Sequence, residues 1–547
     1  MGSLKRSQDE LAVKQTSCGF SIFQMPSEIF SDGIFVFSCI SMFKCAYSSY
    51  KIITPNLNHT SKEVSMSAAL SNRFYSLFAS VFFLFAGFGL FLNSAGVKLA
   101  EMGVNNIVIG ALNAAFFAGA SLSAVAGHRI VSGVGHIRSF SVFGAVFAMA
   151  SLTHLMTENL TAWGVLRVVL GFCYFSMLMI AESWFAEQSA QEKRARVLAV
   201  YNLVYYFAFT LGILLLSFNL SSDNVFVLGT LLVMTAMLPV SLTKMKAPQV
   251  PPRQKINVPR VLAIAPLAFV TAFLAGVLVN GLFTMASVFL LQQAFSLQQI
   301  SAFLTSAMVG GFVVQLPLAR LSDKFGRRNA ILGCSALACV AALTGLVAMA
   351  MQLATPMLHN AVAFVFGCGL FGLYALSIAR ANDQLPNNMN TVEVSRSLLF
   401  CYGLGSLTAP LLIGVVMDYA PHLGFYALYV LAAGGLAIFA WKQNVVPEEE
   451  RSVFVNVSGN TGAMAADLDP RNNEEDDDFD EVVAQAHVDN LDNIDMPSES
   501  EPADKADMME AESANQVQAE QPTAEPPLES TNSETLETDK QNQDKPL

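Results

Sequence analysis

Charge is scarce in this chain of 547 residues: Asp, Glu, Lys and Arg together make 14% of it, against 53% apolar residues. A domain folded in water needs more charge than that to stay dissolved, so the scarcity points to lipid as the solvent. The eight cysteines, at positions 18, 39, 45, 173, 334, 339, 368 and 401, form no CxxC pair and no metal-ligand spacing. They read as small core hydrophobes, not as a disulfide framework or a metal site. There is no G-x-x-x-x-G-K-(S/T) loop and no HExxH, and His128, His136, His154, His359 and His422 are dispersed. ATP hydrolysis and metal catalysis therefore have no residue set behind them, and neither an enzyme activity nor a cofactor is expected. No stretch alternates polar and apolar residues as a barrel strand does, so a membrane domain here is helical.

Long apolar runs, by contrast, are abundant. Twelve are long enough to cross a hydrocarbon layer of ~30 Å. They fall at about 74–96, 106–127, 139–157, 160–183, 197–218, 225–243, 261–285, 299–320, 329–350, 359–380, 395–417 and 424–442. Lys and Arg sort onto one side of them. Arg129 and Arg138 follow the second run, and Lys193, Arg194 and Arg196 the fourth. Lys244, Lys246, Arg253, Lys255 and Arg260 follow the sixth, Arg320, Lys324, Arg327 and Arg328 the eighth, and Arg380 and Arg396 the tenth. The odd-numbered connections hold Lys98 beside Glu101, Glu158, Asp223 and Asp418. The excess of cations places the even-numbered loops and both termini in the cytoplasm, with the chain in the cell (inner) membrane.

The acids are concentrated at one end. From Asn444 to Leu547 there are 28 Asp and Glu against 5 Lys and Arg, leaving 15 acids and 26 bases for the rest. Runs such as Glu474–Glu481 and the many Ser, Asn and Gln cannot bury enough apolar surface to offset chain entropy, so 444–547 is expected to be a disordered acidic cytoplasmic tail. Residues 1–72 are expected to be a poorly ordered extension, with a natural start at Met66. Ile34–Phe43 is apolar but too short to span. Between them, 73–243 and 261–443 form two six-helix halves, joined by a linker at 244–260 that holds Pro248, Pro251, Pro252 and Pro259.

One loop carries a specific motif: Ala319-Arg320-Leu321-Ser322-Asp323-Lys324-Phe325-Gly326-Arg327-Arg328. Gly326 permits a tight turn between two helix ends, and Asp323 can sit against an Arg or a helix N-terminus. Lys324, Arg327 and Arg328 can hold the loop at an anionic surface. The run resembles the loop signature of the major facilitator superfamily, G-x-x-x-D-(R/K)-x-G-R-(R/K), with Ala319 in place of the first Gly. The loop after the second run echoes it in Ser132-Gly133-Val134-Gly135-His136-Ile137-Arg138, with Ser132 where Asp is expected. Arg167-Val168-Val169-Leu170-Gly171 is similar to the R-x-x-x-G element of helix 4 in that superfamily. Glu182-Ser183, Arg194-Ala195-Arg196 and Tyr201-Asn202-Leu203-Val204-Tyr205-Tyr206 resemble the helix 4–5 region of its YcaD-like branch, with Ala195 replacing a Gly. The resemblance covers about 74–442. It implies an all-α membrane protein with the major facilitator fold, twelve transmembrane helices in two six-helix repeats.

Several residue roles follow as expectations. Arg167 either faces the bundle interior, in proton coupling or anion contact, or snorkels from the outer helix end. Glu182 lies in reach of Arg194 or Arg196 as a latch. Tyr201 and Tyr205 share a helix face, which either lines a path, or packs or faces lipid. Asn93, Asn113, Asn280, Gln315, Tyr374 and Tyr402 sit in mid-helix positions, where each is either a lumen group or a helix–helix hydrogen bond. Helices 1, 4, 7 and 10 line the cavity in the resembled fold, which favours Asn93, Asn280 and Tyr374. The loop 10–11 residues Asp383, Glu393 and Arg396 are read as a structural hinge. Together these readings describe a secondary active transporter of a small solute, proton-coupled, monomeric, embedded in a bilayer and without nucleic-acid partners. The alternative is a non-transporting scaffold or sensor whose acidic tail recruits a partner.

Overall fold

The computed structural model describes residues 72–469, apart from 219, 244–257, 354, 386–390, 453, 463 and 465–467. The N-terminal extension with Met66, most of the linker and the acidic run from Glu474 lie outside the described residues. The chain folds as a series of long helices: α1 Asn72–Glu101, α2 Asn106–Val134, α3 His136–His154, α4 Leu160–Gln188, α5 Gln191–Leu214 and α6 Ser222–Leu242. They continue with α7 Pro266–Gln292, α8 Leu297–Phe325, α9 Arg327–Ala350, α10 Pro356–Asn382, α11 Thr391–Tyr419 and α12 Gly424–Trp441. No strand occurs among the described residues.

Eleven of these helices are long and apolar enough to cross a membrane. The exception is α3, whose ends carry His136, Arg138 and His154 and dilute its apolarity. It takes its place in the bundle through its packing. Helix α3 packs on α4 and α6, as α9 packs on α10 and α12. The same shift by six holds throughout. Contacts α1–α5, α1–α6 and α2–α4 recur as α7–α11, α7–α12 and α8–α10. Across the middle, α2 meets α11 as α8 meets α5, and α1 meets α7. This is the contact pattern of two six-helix units related by a pseudo-twofold.

The glycines at the crossings repeat as well. A Cβ on Gly119 of α2 would come 2.0 Å from the Val168 carbonyl, and one on Gly171 of α4 1.9 Å from that of Phe116. At the α8–α10 crossing, Gly310 and Gly367 stand in the same relation to Phe364 (2.0 Å) and Ala307 (1.9 Å). In lipid no hydrophobic force draws helices together, and close backbone approach over small residues is what lets dispersion hold them.

Helix starts differ between the two faces. Asn105, Asn159, Ser221, Ser296 and Thr355 cap α2, α4, α6, α8 and α10 with side-chain oxygens. Ser296 completes a capping box with Gln299. The even-numbered turns at Gly135 and Gly326 use positive φ instead.

The seventh run begins later than the sequence predicts. Pro266 has no amide proton, and Ala265 before it sits at φ −132, ψ 67, so the chain breaks between a short helix at Val258–Ile264 and α7. Exposed apolar side chains such as Val142, Met149, Leu231, Leu238, Val340, Leu343, Leu431 and Ile438 lie on α3, α6, α9 and α12. These four helices form the lipid-facing periphery, and α1, α7 and α10 are the most enclosed.

Candidate transport path

Polar groups gather where the two halves meet. On α7, Asn280 donates from Nδ2 to the Tyr402 hydroxyl (3.0 Å) and to Ser406 Oγ (2.7 Å) on α11, and all three residues are buried. Tyr374 of α10 stands beside them, its ring centroid 5.0 Å from that of Tyr402. Tyr201 and Tyr205 on α5 are buried and meet Phe85 of α1 edge-on at 5.5 and 5.1 Å, so their stripe faces inward and not into lipid. Gln315 lies on the α5–α8 seam, where Nε2 donates to the Tyr206 hydroxyl (2.6 Å).

One turn further along α7, the Thr284 carbonyl accepts from Asn113 Nδ2 (3.2 Å). Asn113 Oδ1 in turn accepts from Arg167 Nη2 (3.3 Å). Arg167 is fully buried, lies 5.7 Å from the Phe91 ring centroid, and has no hydrogen-bond partner for Nε or Nη1. It therefore faces the interior and does not snorkel. Asn93 donates to the Gly89 carbonyl (2.7 Å) and accepts from Ser287 of α7 (3.5 Å).

Beyond this layer the face of the odd-numbered loops is shut. The Asn106 amide donates to Asp418 (3.1 Å), Gln292 to Asn106 Oδ1 (2.7 Å), and Ser301 to the Ile213 carbonyl (2.9 Å). Gly110 of α2 and Pro410 of α11 touch backbone to backbone, so a Cβ on Gly110 would lie 2.2 Å from the Pro410 carbonyl.

At the opposite face the α8–α9 turn holds the charges. Gly326 adopts φ 88, ψ 153, and Gly135, its echo between α2 and α3, adopts φ 93, ψ 153. Arg327 is buried and donates from Nη1 to Ser322 (2.8 Å) and Asp323 (2.5 Å), while its Nε lies 3.5 Å from Asp383 Oδ2 at the end of α10. Burial pushes the Asp383 carboxyl above the ordinary carboxylate range, against the pull of its hydrogen bonds from Ser452 and of Arg327 and Arg380. Asp383 is thus the partner of the motif arginine and more than part of a hinge. Arg328 points elsewhere and caps α12 through the Ala440 (3.0 Å) and Trp441 carbonyls. Lys324 is exposed over the Phe325 ring (5.5 Å). On α4, Glu182 is buried and accepts from the Tyr201 hydroxyl (2.6 Å). Arg194 is half-buried and Arg196 exposed at the start of α5.

The Major Facilitator Superfamily model matches residues 77–395, more than half of the chain. The chain belongs to the major facilitator superfamily. It is 25% identical over 325 residues to the uncharacterized MFS-type transporter YcaD of Escherichia fergusonii, covering 58% of this chain and 82% of that protein. It is 24% identical over 359 residues to an uncharacterized MFS-type transporter of Yersinia enterocolitica, covering 64% and 89%. Among solved structures, the nucleoside transporter NupG superposes with a TM-score of 0.55 at 14% identity, over 68% of this chain and 98% of that one. A D-xylose-proton symporter does so with a TM-score of 0.54 at 14% identity, over 68% and 98%. The distant structures share the fold alone.

This facilitator departs from the sequence expectation at its tail. The acidic tail was expected to be disordered from Asn444, yet the described residues up to Asp469 lie against the helices at the even-loop face. Ser452 donates to Asp383 from both its amide and its hydroxyl (2.8 Å each), and Arg451 donates to the Asp323 carbonyl (2.8 Å). Asn460 is buried between Tyr205 and Tyr402, and the Gly462 amide donates to Glu182 (2.6 Å). Composition averaged over the whole tail hid this, since the acids are densest after Asn473 and the stretch Asn456–Gly462 is uncharged. Ser406 was also missed, although it lies four residues from Tyr402 on one helix face.

Proposed function

We propose that this facilitator carries a small, neutral, hydrogen-bonding solute by alternating access, with the even-numbered loops in the cytoplasm. The cluster Tyr205, Asn280, Tyr374, Tyr402 and Ser406 carries this reading. Asn280, Tyr374, Tyr402 and Ser406 of the second half lie together, Tyr205 of the first half is joined to Tyr402 through Asn460, and the group offers donors and acceptors without net charge. A site of that kind at the interface of inverted repeats is reached from one face when the halves rock one way and from the other when they rock back. The face closed here is the one crossed by Asn106, Asp418, Gln292 and Ser301.

Protons are the proposed coupling ion, and Glu182 is the proposed carrier. It is a buried carboxylate on α4 that accepts from the Tyr201 hydroxyl, and its gain and loss of a proton would alternate with the cycle. Arg167, buried on the closed side with two unpartnered nitrogens, is proposed to hold the path positive there and to keep stray cations out. The scaffold alternative would have to place its partner-binding surface beyond the described residues, since those from Arg451 to Gly462 contact the helices.

The test is solute uptake into proteoliposomes from a library of neutral polar compounds, with and without an imposed pH gradient. Transport of at least one compound, driven by the gradient in the native chain and indifferent to it in Glu182→Gln, is the expected result. No flux of any compound in the native chain or in a tail-deleted chain would remove the transport reading.

A further inference from the structure

We propose that the described residues between Arg451 and Asp469 are a removable plug: they fill the vestibule of the path at the even-loop face, with the Asn460 carboxamide in the place a solute takes. This rests on the transport reading above. The segment touches both halves. On the first, Asn202 donates to the Asn456 carbonyl (2.7 Å), and Glu182 accepts from the Gly462 amide (2.6 Å). On the second, Arg451 spans the Asp323 (2.8 Å) and Lys324 (3.4 Å) carbonyls, and Arg327 donates to the Ser452 carbonyl. The Arg327 guanidinium also stands 5.7 Å from the Phe454 ring centroid, and Arg396 reaches the Met464 sulfur (3.9 Å).

At the centre, the Asn460 carboxamide accepts from the Tyr402 hydroxyl and donates to the Tyr205 hydroxyl, both at 3.0 Å. These are two of the groups assigned to the solute. A segment fastened to both halves at one face opposes the separation and closure that rocking requires there. Being part of the same chain, it competes with a free solute at an effective concentration in the millimolar range.

The fit depends on two glycines. A Cβ on Gly459 would lie 2.4 Å from the Tyr402 ring, and one on Gly462 2.5 Å from Glu182 Oε2 and 3.0 Å from the Met179 amide nitrogen. Neither position belongs to a helix, so bulk added there expels the segment without touching the helical body.

The experiment uses the full chain in oriented proteoliposomes, with Asn202→Cys on the vestibule wall as reporter. A membrane-impermeant maleimide applied at the even-loop face should label this cysteine at least tenfold faster once Gly459→Leu and Gly462→Leu are added. A chain ending at Gln443 should match the double-leucine variant. Solute flux should rise in the same two backgrounds. Equal labelling with and without the leucines overturns the plug. Faster labelling with no flux of any solute supports the plug and removes the transport reading instead.

Discussion

The turns at Gly135 and Gly326 have nearly the same backbone, φ 93, ψ 153 and φ 88, ψ 153, and almost nothing else in common. Around Gly326, Arg327 is buried among Ser322, Asp323 and Asp383, and Arg451 of the tail covers the turn. Around Gly135, His136 takes the place of Arg327, 6.0 Å from the Trp184 ring centroid, and Ser132 bonds back to the Arg129 carbonyl of its own helix (3.0 Å). The repeat has kept the geometry that joins two helices and let the charges diverge. The tail has docked on the turn that kept them.

The largest break in this comparison should come from Arg327→Met. Removing one partner of a buried ion pair typically costs ~3–5 kcal/mol, because the other charge is left buried and uncompensated. The same exchange at His136, which has no carboxylate partner of this kind, should cost about 1 kcal/mol, the centre of the range for ordinary substitutions. Thermal unfolding in detergent measures both.

The deficit at Arg327 should shrink on acidification, and the sign follows from Asp383. Its folded value is raised, so folding favours its neutral form more than the unfolded chain does. Its contribution is therefore fullest below the unfolded carboxylate range and declines as pH rises through the folded value. Arg380 is the remaining cation beside it in the variant, with Ser452 its hydrogen-bond donor. A deficit that grows on acidification would show that Asp383 is not the group left exposed to the loss.

Second in size are Gly135→Ala and Gly326→Ala. Each places a Cβ where an L-residue is strained, at about 1–3 kcal/mol. In strain alone the two should match. They should part in the Asn202→Cys labelling, because a Cβ at Gly326 meets the Arg451 guanidinium at 3.2 Å and one at Gly135 meets nothing within 4 Å. Faster labelling in Gly326→Ala alone is the expected pattern.

The helices were legible in the sequence because lipid imposes a single, local demand: enough consecutive apolar residues to cross. Arg327 and Gly326 could be read for the same reason, since a turn between two helix ends is a local object. Asp383 could not be assigned to Arg327, because their meeting depends on α9 and α10 crossing at one end, and nothing within either segment records it. Asn280, Tyr402 and Ser406 were ambiguous one at a time and form one hydrogen-bonded cluster together. A polar residue in mid-helix is the same letter whether it faces a neighbour or a cavity. The docking of the described tail residues up to Asp469 was not legible, because composition averaged over 444–547 hides it, whereas docking depends on a few residues that fit a particular hole.

The smallest effect on stability, and the sharpest on function, should come from Asp323→Asn set against Ser132→Ala. The Asp323 side chain is 55% exposed although its Arg327 partner is 0% exposed, so the pair is half in solvent and contributes on the order of 0.5 kcal/mol. Both variants should therefore fold and melt close to the native chain. Their fluxes should differ, because Asp323 fixes the Arg327 guanidinium that also reaches Asp383, whereas Ser132 bonds back to the Arg129 carbonyl of its own helix. With the tail displaced by Gly459→Leu and Gly462→Leu, Asp323→Asn should lower flux several-fold and Ser132→Ala by less than twofold. Equal losses would mean that the two turns work as equivalent gates, and that the divergence of their charges does not reach the transport cycle.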